Sequence, residues 1–496
     1  MSITRRQFMQ RSSAAAAVVS LPMFVPSRAF GANDRISVGI VGLGGRGAHN
    51  HATSLGNQDG VEIVALCDPD RRRLDGAASG VKRWFKRDAA KYADVREIVK
   101  RDDIDVISIA TQVYWHGLAT ILACRAGKHV YVEKPLCLYP WEGEQMLAAA
   151  RKHKRIVQHG TQHRSAKGVF QAAAWTRTGA LGEIKCINCF AIKPRRPLGK
   201  RTEPLKIPDN LDYDLWCGPA KKLPIYRNRL QYDCRYDWNT GGGETLDQGI
   251  HECDVARAWL GEKQTPRRTM SIGGRFIWND AGDAANAHIM CYDFPSAPIV
   301  HEIYNVQAPK FIDGLKLPEA IKGSRNDRML RHGPYGFVVT CEGGFVLVQA
   351  YQAHETAVAY DFKGKKIKAF HGRGGPNHFV NFIEAVRGGK REHQKAEIEE
   401  GFISTATVQT ANIAHRLGEV ASVKKQQAAI EGVAGFSEAF ERLQTTLKHH
   451  KVDPNTATLG AWVAIDREKH CVKGDKAAPL VRGQYRKPFI VPDLSA

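Results

Sequence analysis

A glycine-rich turn near the start of the chain constrains the fold more strongly than any other part of the sequence. An apolar run, ISVGIV, leads into Gly42, Gly44 and Gly47 in G-x-G-x-x-G spacing, and a helical stretch follows. In this motif the first glycine permits a tight turn, the second lets a pyrophosphate approach the backbone, and the third lets the helix pack on the strand. The turn therefore predicts a dinucleotide site, and we expect Gly45 and Arg46 to contact the dinucleotide as well.

A second apolar strand, VEIVALCD, ends in Asp68, which follows Gly47 by 21 residues. An acid at this position accepts hydrogen bonds from the adenosine ribose and disfavours a ribose phosphate, so the sequence favours NAD over NADP. The nearby Arg71, Arg72 and Arg73 keep NADP open as an alternative.

The strand VYVEKPLCL is interrupted by Glu133, Lys134 and Pro135. Strands and helices alternate on both sides of it, which predicts a doubly wound parallel sheet. Ligands of such sheets bind beyond the carboxyl ends of the strands. We therefore expect Lys134 to bring a cation into the cofactor crevice, the alternative being a surface lysine in a tight turn.

After Thr161 the pattern changes to alternating strands with short connections, which predicts a mainly antiparallel sheet. One helical stretch, WNTGGGETLDQGIHECDVARAWLG, lies among these strands and is expected to end near Gly261. On this helix Asp247 and His251 are four residues apart and share a face. The imidazole could remove a proton from a substrate hydroxyl while the carboxylate orients it. The same spacing also fits an ordinary ion pair on a solvated helix.

The first 32 residues differ from the rest of the chain. TRRQF pairs two arginines with the short apolar run AAAAVVSLPMFV, and SRA and AFG offer cleavage sites. This segment resembles a twin-arginine export signal, the alternative being an amphipathic or disordered arm. We expect export to the periplasm or cell envelope. We expect no membrane span after cleavage, because no other apolar stretch is long enough.

Charge and cysteine content argue against several classes of function. The formal net charge of +21 favours polyanions in general, but no nucleic-acid-binding motif accompanies it, so no specific nucleic-acid partner is expected. The 11 cysteines follow no regular disulfide framework. Cys186 and Cys189 lie in a strand, where positions three apart point to opposite faces, so no metal or redox site is predicted.

Together these motifs resemble the glucose-fructose oxidoreductase and inositol dehydrogenase family, also written Gfo/Idh/MocA. The resemblance covers nearly all of 35–420 and is carried by GIVGLGGRG, ALCDPD, WHGLATILACRAGKHVYVEKPLCL, GTQHRS, GALGEI, GGGETLDQGIHECD and HFVNFIEAVRGGK. It implies an α/β fold class, in which a Rossmann doubly wound parallel sheet is followed by an α+β domain with a large, mainly antiparallel open sheet. The domains expected are a signal peptide over 1–32, an NAD(P)-binding domain over 33–160, a substrate and oligomerisation domain over 161–420, and a helical extension with a tail over 421–496.

The resemblance also implies roles for individual residues. Lys134 would hydrogen-bond the reacting carbinol oxygen beside the nicotinamide, Asp247 would help to hold the substrate, and His251 would take or give the hydroxyl proton. Cofactor contacts are expected from Gly42, Gly44, Gly45, Arg46, Gly47, Asp68, Thr111, His116, Glu133 and Lys134. The loop at Thr111 departs from the Thr-Pro-Asn that many members have there.

Four further residues are candidate substrate contacts: His163, Arg164, Arg235 and Tyr236. Aromatic faces mixed with hydrogen-bonding groups suit a polyhydroxylated ring. Each of the four could instead have a structural role.

The leading hypothesis is an exported NAD(P)-dependent oxidoreductase. It would transfer a hydride between nicotinamide and a secondary hydroxyl or keto group of a sugar, sugar derivative or cyclitol. One alternative is a glycosidase that oxidises its sugar transiently, although members with that chemistry generally lack the Lys-Asp-His set. Another is a non-catalytic carbohydrate-binding protein. A homo-oligomer is expected, by resemblance, through the exposed face of the second sheet.

Overall fold

A computed structural model describes residues 35–324, 327, 331, 334–349, 356–372 and 374–494. The predicted export signal over 1–32 lies outside the described residues. Among the helices of the described part, none combines the length and apolar character needed to cross a membrane.

The first sheet has six parallel strands in the order β3-β2-β1-β4-β5-β6. Its strands are β1 (Ile36–Val41), β2 (Val61–Cys67), β3 (Ala90–Tyr92), β4 (Val106–Ile109), β5 (His129–Glu133) and β6 (Val157–Gly160). The helices that accompany them are α1 (Ala52–Gly56), α2 (Arg71–Phe85), α3 (Val95–Ile98), α4 (Val113–Arg125) and α5 (Pro140–Lys152). The strand order reverses between β1 and β4, so a ligand crevice is expected beyond the carboxyl ends of these strands.

The second sheet has 11 strands in the order β14-β13-β12-β11-β7-β10-β9-β8-β16-β15, with β17 paired to β16. Its strands are β7 (Ile184–Ile192), β8 (Arg268–Gly274), β9 (Ala287–Asp293), β10 (Pro298–Tyr304), β11 (Tyr335–Cys341), β12 (Gly344–Val348), β13 (Thr356–Tyr360), β14 (Lys366–His371), β15 (Glu419–Val420), β16 (Thr458–Asp466) and β17 (Cys471–Val472). The β7–β10 pair is parallel and the other pairs are antiparallel. The predicted fold class is confirmed.

Helices cover both faces of the second sheet. They are α6 (Lys167–Arg177), α7 (Tyr213–Cys217), α8 (Gly243–Asp247), α9 (Gly249–Leu260), α10 (Phe311–Gly314), α11 (Pro376–Gly388), α12 (Ile398–Leu417), α13 (Val423–Ile430), α14 (Phe436–His449) and α15 (Ala478–Arg482). Of these, α9 and α12 pack on one face and α14 packs on the other. Cys189 points into the first of these layers and Cys186 into the second, so these thiols lie on opposite faces of β7.

The packing of α14 bears on the expected homo-oligomer. Arg442 of α14 donates to both carboxylate oxygens of Glu302 on β10, at 2.6–3.1 Å, and Glu302 is fully buried. Phe436 and Phe440 pack in the same layer. This part of the sheet face is therefore covered within the chain, and the expected homo-oligomer stays a prediction.

The segment after residue 420 is more than a helical extension. It contains α13, α14 and α15, but β16 also pairs with β8 and adds a strand to the second sheet. Further along, Phe489 packs edge-on against Trp115, with ring centroids 5.4 Å apart. The helical extension with a tail that was expected over 421–496 thus also contains a strand, which completes the hydrogen bonding of β8.

Candidate active site

The glycine turn after β1 has the geometry that a dinucleotide needs. Gly42 has φ +87°, and a Cβ there would lie 2.5 Å from the backbone nitrogen of Thr111. A Cβ on Gly47 would lie 1.9 Å from the carbonyl oxygen of Gly42. By contrast, the Cβ position of Gly45 has no neighbour within 4 Å, and that of Gly44 is met only by the end of Arg73 at 3.3 Å. The turn therefore leaves its middle open to a pyrophosphate.

Asp68 follows β2 and borders the same turn. Its carboxylate accepts hydrogen bonds from the backbone N–H groups of Leu43, at 2.7 Å, and Asp70, at 2.9 Å. Burial raises the pKa of this carboxyl, and these hydrogen bonds oppose the rise. Asp68 thus fixes the shape of the glycine turn as well as facing the expected ribose position, and Arg73 lies at the same rim.

A cavity of about 270 Å³ extends from the glycine turn to the second domain. Among the described residues that line it are Gly42, Gly44, Gly45, Asp68, Thr111, Trp115, His116, Lys134, Gln231, Tyr232, Arg235 and Asp247. Most of the predicted cofactor contacts and two of the three predicted catalytic residues therefore face one space.

Lys134 enters this cavity from the turn after β5. Its ammonium nitrogen lies 2.8 Å from Oδ1 of Asp247 and 2.6 Å from the carbonyl oxygen of the same residue. The ring of His116 bridges the nearby backbone, with one nitrogen 2.7 Å from the carbonyl oxygen of Pro135 and the other 3.2 Å from that of Thr111. His116 therefore ties the turn that presents Lys134 to the loop after β4.

Glu133 holds the glycine turn to β5. Its Oε1 accepts from Nε of Arg46 at 2.8 Å and from Nε2 of Gln162 at 2.9 Å, and it lies 3.2 Å from Nε2 of His51. Burial alone would raise the pKa of Glu133, but Arg46, His51 and Lys134 hold it well below its usual range. The structure places Glu133 in an internal ion-pair network with Arg46, and its expected contact with the cofactor stays a prediction.

Asp247 is the meeting point of two cations. Its carboxylate pairs with Lys134 on one oxygen and with Arg235 on the other. Burial opposes ionisation, but the charges of Lys134 and Arg235 lower the pKa of Asp247 far below its usual range. The residue is therefore an anion at neutral pH and positions the ammonium group of Lys134.

His251 lies on α9, one turn after Asp247, and its side chain is 3% exposed. Its ring packs edge-on against that of His163, with centroids 5.1 Å apart. Burial is the main reason that the pKa of His251 lies well below its usual range, and the charges of Lys134 and His163 lower it further. The imidazole is therefore neutral at pH 7 and able to accept a proton. The alternative of an ion pair on a solvated helix is wrong.

The four candidate substrate residues divide into two groups. Arg235 lines the cavity, and His163 packs beside His251. In contrast, Arg164 is buried and pairs with Asp254 at 2.8 Å, and the hydroxyl of Tyr236 donates to buried Glu244 at 2.7 Å. Arg164 and Tyr236 therefore support the structure around the site.

The residues that the sequence reasoning missed include Gln231, Tyr232 and Lys193. Tyr232 and Gln231 line the cavity. Oε1 of Gln231 accepts a hydrogen bond from Nε2 of Gln112 at 3.0 Å, and this bond joins the second domain to the loop after β4. Lys193 follows directly after β7, and its ammonium nitrogen lies 3.5 Å from Oε1 of Gln248, the residue after Asp247. Tyr232 and Gln231 belong to the same QYDCRYDW stretch that supplied Arg235, so their aromatic and amide groups were the available signal.

Comparison with known families covers both domains. Residues 36–161 match the family model described as the Gfo/Idh/MocA oxidoreductase family, NAD-binding Rossmann fold. Residues 187–314 match its companion, the oxidoreductase family C-terminal alpha/beta domain. The match to an NAD-binding domain confirms the prediction of a nicotinamide dinucleotide as cofactor.

Curated relatives resemble only part of this chain. A protein of Shewanella pealeana named glycosyl hydrolase family 109 protein is 30% identical over 155 residues, which are 30% of this chain and 34% of that protein. A Shewanella sp. protein of the same family name is 29% identical over 153 residues, covering 30% of this chain and 33% of that protein. The match thus spans about a third of the length of these relatives.

Solved structures share the fold over a longer stretch. The WlbA dehydrogenase from Bordetella pertussis, in complex with NADH and UDP-GlcNAcA, has a TM-score of 0.54 and 17% identity, covering 76% of this chain and 95% of that one. KijD10, a 3-ketoreductase from Actinomadura kijaniata in complex with NADP and TDP-benzene, has a TM-score of 0.54 and 16% identity, covering 76% and 97%. At such identity these likenesses establish the fold only.

Proposed function

This chain belongs to the Gfo/Idh/MocA family of oxidoreductases, and on that premise we propose that it oxidises a secondary hydroxyl group, or reduces a keto group, of a sugar, sugar derivative or cyclitol. The observation that carries the proposal is the contact between Lys134 and Asp247 at the end of the cavity that begins at the glycine turn. A cation from the first domain and an anion from the second meet where a substrate hydroxyl can lie next to a bound nicotinamide.

The residues present fit a dinucleotide. The open backbone at Gly44 and Gly45 can receive a pyrophosphate, and Asp68 lies beyond β2 where a ribose diol is bound in Rossmann folds. A bound nicotinamide supplies the hydride acceptor or donor. Asp68 favours NAD, whereas Arg73 at the same rim leaves room for NADP.

The roles of the polar residues follow from their charges. Lys134, held by Asp247, donates a hydrogen bond to the carbinol oxygen and stabilises the negative charge that develops there as the hydroxyl proton leaves. Neutral His251 accepts that proton in the oxidative direction and returns it in the reductive one. His116 acts through the backbone at Pro135 and keeps Lys134 aimed at the cavity.

The location of the protein forms part of the proposal. The arginine pair and short apolar run over 1–32 support twin-arginine export to the periplasm or cell envelope. That route carries folded proteins, so a nucleotide acquired in the cytoplasm could leave with the enzyme.

The proposal is tested on the purified full-length protein. Nucleotide released by denaturation is identified first, and the protein is then incubated with NAD or NADP and a panel of sugars and cyclitols. We expect formation of reduced nicotinamide together with a product that has lost two hydrogens. Binding of sugar and nucleotide without any hydride transfer would instead show a non-catalytic carbohydrate-binding protein.

A second candidate function is glycoside hydrolysis through transient oxidation of the sugar. It is favoured by the partial match to Shewanella proteins of glycosyl hydrolase family 109. Release of an aryl leaving group from an aryl glycoside, with no net formation of NADH, supports this candidate. Accumulation of a keto-sugar contradicts it.

A further inference from the structure

Two positively charged side chains contact the carboxylate of Asp247, and a third lies beside the next residue of the chain. Lys134 and Arg235 contact it directly, and the ammonium nitrogen of Lys193 lies 3.5 Å from Oε1 of Gln248, the residue after Asp247. Asp247 balances one of these charges, and Glu133, the other carboxylate on which Lys134 acts, is already paired with Arg46. The end of the cavity at Asp247, where the substrate is expected, therefore carries a surplus of positive charge.

The second carboxylate of this region cannot absorb the surplus. Glu244 is fully buried and accepts hydrogen bonds from Arg195, at 2.8 and 3.2 Å, from the hydroxyl of Tyr236 at 2.7 Å and from Asn305 at 3.0 Å. Its charge is balanced by Arg195. Lys193 lies at the edge of this cluster without joining it closely, since its nitrogen is 3.9 Å from Glu244.

Lys193 has capacity for a further partner. Its hydrogen-bond acceptor within the described residues is Oε1 of Gln248, at 3.5 Å, which is at the outer limit for a hydrogen bond. The side chain is 32% exposed, so the ammonium group is reachable from solvent. An oxyanion bound beside Gln248 could therefore form a shorter, charge-assisted hydrogen bond with it.

Tyr232 provides an aromatic surface beside these cations. It lines the cavity, its side chain is 51% exposed, and its backbone has φ +70°, a conformation that is uncommon for a residue with a large side chain. The guanidinium carbon of Arg235 lies 3.7 Å from the ring centroid, and Arg195 donates to the hydroxyl at 3.0 Å. Strained residues held in this way cluster at ligand sites.

We propose that Lys193, Arg235 and Tyr232 form a subsite for a negatively charged sugar. The two cations bind an oxyanion substituent, a carboxylate or a phosphate, and the ring of Tyr232 packs against the apolar face of the sugar. The inference rests on the proposed function, because it names the substrate class of the same site. A neutral sugar would leave the surplus positive charge uncompensated, whereas an anionic sugar relieves the repulsion between these cations.

The test compares glucuronate, glucose 6-phosphate and glucose as substrates of the full-length protein with saturating nucleotide. We expect kcat/KM for one of the two anionic sugars to exceed that for glucose by roughly 10-fold to 100-fold, the range that one charge-assisted hydrogen bond supplies. A higher kcat/KM for glucuronate identifies the oxyanion as a carboxylate, and a higher kcat/KM for glucose 6-phosphate identifies it as a phosphate. Equal kcat/KM values for all three sugars would overturn the inference while leaving the proposed function intact.

Substitutions of Lys193 and Tyr232 test which side chains cause the preference for an anionic sugar. Lys193→Gln should lower the ratio of kcat/KM between the anionic and the neutral sugar to near unity, whereas Lys185→Gln, at the exposed opposite end of β7, should leave that ratio unchanged. Tyr232→Ala should raise KM for every sugar, and Tyr232→Phe should rescue most of the loss. An unchanged ratio in Lys193→Gln contradicts the assignment.

Direct binding separates this inference from the proposed activity. The shift in Tm produced by glucuronate and by glucose 6-phosphate is measured in the wild type and in Lys193→Gln. If no sugar is oxidised but an anionic sugar raises Tm in the wild type alone, the subsite stands and the proposed activity fails. If neither anionic sugar is oxidised and neither raises Tm, the subsite is refuted.

Discussion

The ammonium nitrogen of Lys134 lies 2.8 Å from a carboxylate oxygen of Asp247, although 113 residues separate the two in sequence. Lys134 directly follows a strand of the parallel sheet, and Asp247 ends a short helix that packs on the second, mainly antiparallel sheet. The contact therefore exists only when both domains are folded and docked. It aims the cation at the cavity before any substrate arrives, which lowers the cost of ordering it during the reaction.

Replacing Lys134 tests the catalytic assignment. Lys134→Ala should reduce kcat/KM by roughly 10²–10⁴-fold, because the oxygen that develops negative charge loses its hydrogen-bond donor. Nucleotide affinity, measured by calorimetry, should change little. Lys152→Ala, at an exposed position on α5, is the matched control and should retain wild-type rates. Activity of Lys134→Ala within a few-fold of the wild type would remove the lysine from the mechanism.

The pH dependence of oxidation should reflect the lowered pKa of His251. Because burial and the charges of Lys134 and His163 disfavour the imidazolium, the base stays neutral well below the ordinary imidazole value of about 6.5. The acid limb of kcat/KM for oxidation is therefore expected below that pH, and His251→Gln should abolish it together with most of the rate. Charged groups that act on this ring also include Glu133 and Arg46.

NMR titration of the imidazole measures the pKa of His251 independently of the kinetics. The substitution Lys134→Met removes one positive charge, so it should raise the pKa of His251 relative to the wild type, although burial keeps it below the ordinary value. No change between the two proteins would show that the two side chains do not interact electrostatically.

Asp247→Asn should lower stability as well as activity. The substitution leaves Lys134 and Arg235 facing each other without their shared counter-ion, and we expect the free energy of unfolding to fall by roughly 1–3 kcal/mol. Denaturant unfolding measures the loss. Asp75→Asn breaks an exposed pair with Lys91 and serves as the control, for which no measurable loss is expected. Equal stability of both variants would contradict the prediction.

The glycine turn offers a purely steric test. In Gly47→Ala the new methyl group would lie 1.9 Å from the carbonyl oxygen of Gly42, so the turn must open and nucleotide affinity should drop by at least tenfold, equivalent to about 1.4 kcal/mol. Gly76→Ala, in the middle of α2, meets no atom within 4 Å and should keep wild-type affinity. Calorimetric titration with NAD compares the two variants, and undiminished affinity in Gly47→Ala would refute the steric argument.

The buried ion pair between Arg442 and Glu302, on the face of the second sheet that α14 covers, should be important for stability. Arg442→Ala leaves the carboxylate of Glu302 buried without its cation, so we expect a loss of roughly 3–5 kcal/mol in the free energy of unfolding. Lys316→Ala, which removes one partner of an exposed pair with Glu441, should unfold like the wild type. A double variant, Arg442→Met with Glu302→Gln, should recover part of the loss, because the unpaired charge is gone.

Features that depend on neighbours in sequence were predictable. The spacing of Gly42, Gly44 and Gly47, the strand that ends in Asp68 and the break at Lys134 each follow from strand or helix periodicity within about 20 residues. The side chains of Cys186 and Cys189 were placed on opposite faces for the same reason. Local geometry is nearly fixed by the chain itself, so these expectations needed no knowledge of tertiary contacts.

Features that depend on which distant segments meet were decided by tertiary structure. The sequence offered Arg164 and Arg235 as equal candidates, yet the first is neutralised by buried Asp254 and the second lines the cavity. Glu133 pairs with Arg46, and no local motif marks Tyr232, which lines the cavity, or Lys193, which lies beside Gln248. A polar side chain becomes functional or structural according to the charge and burial of its partners, and those partners are set only when the two domains pack together.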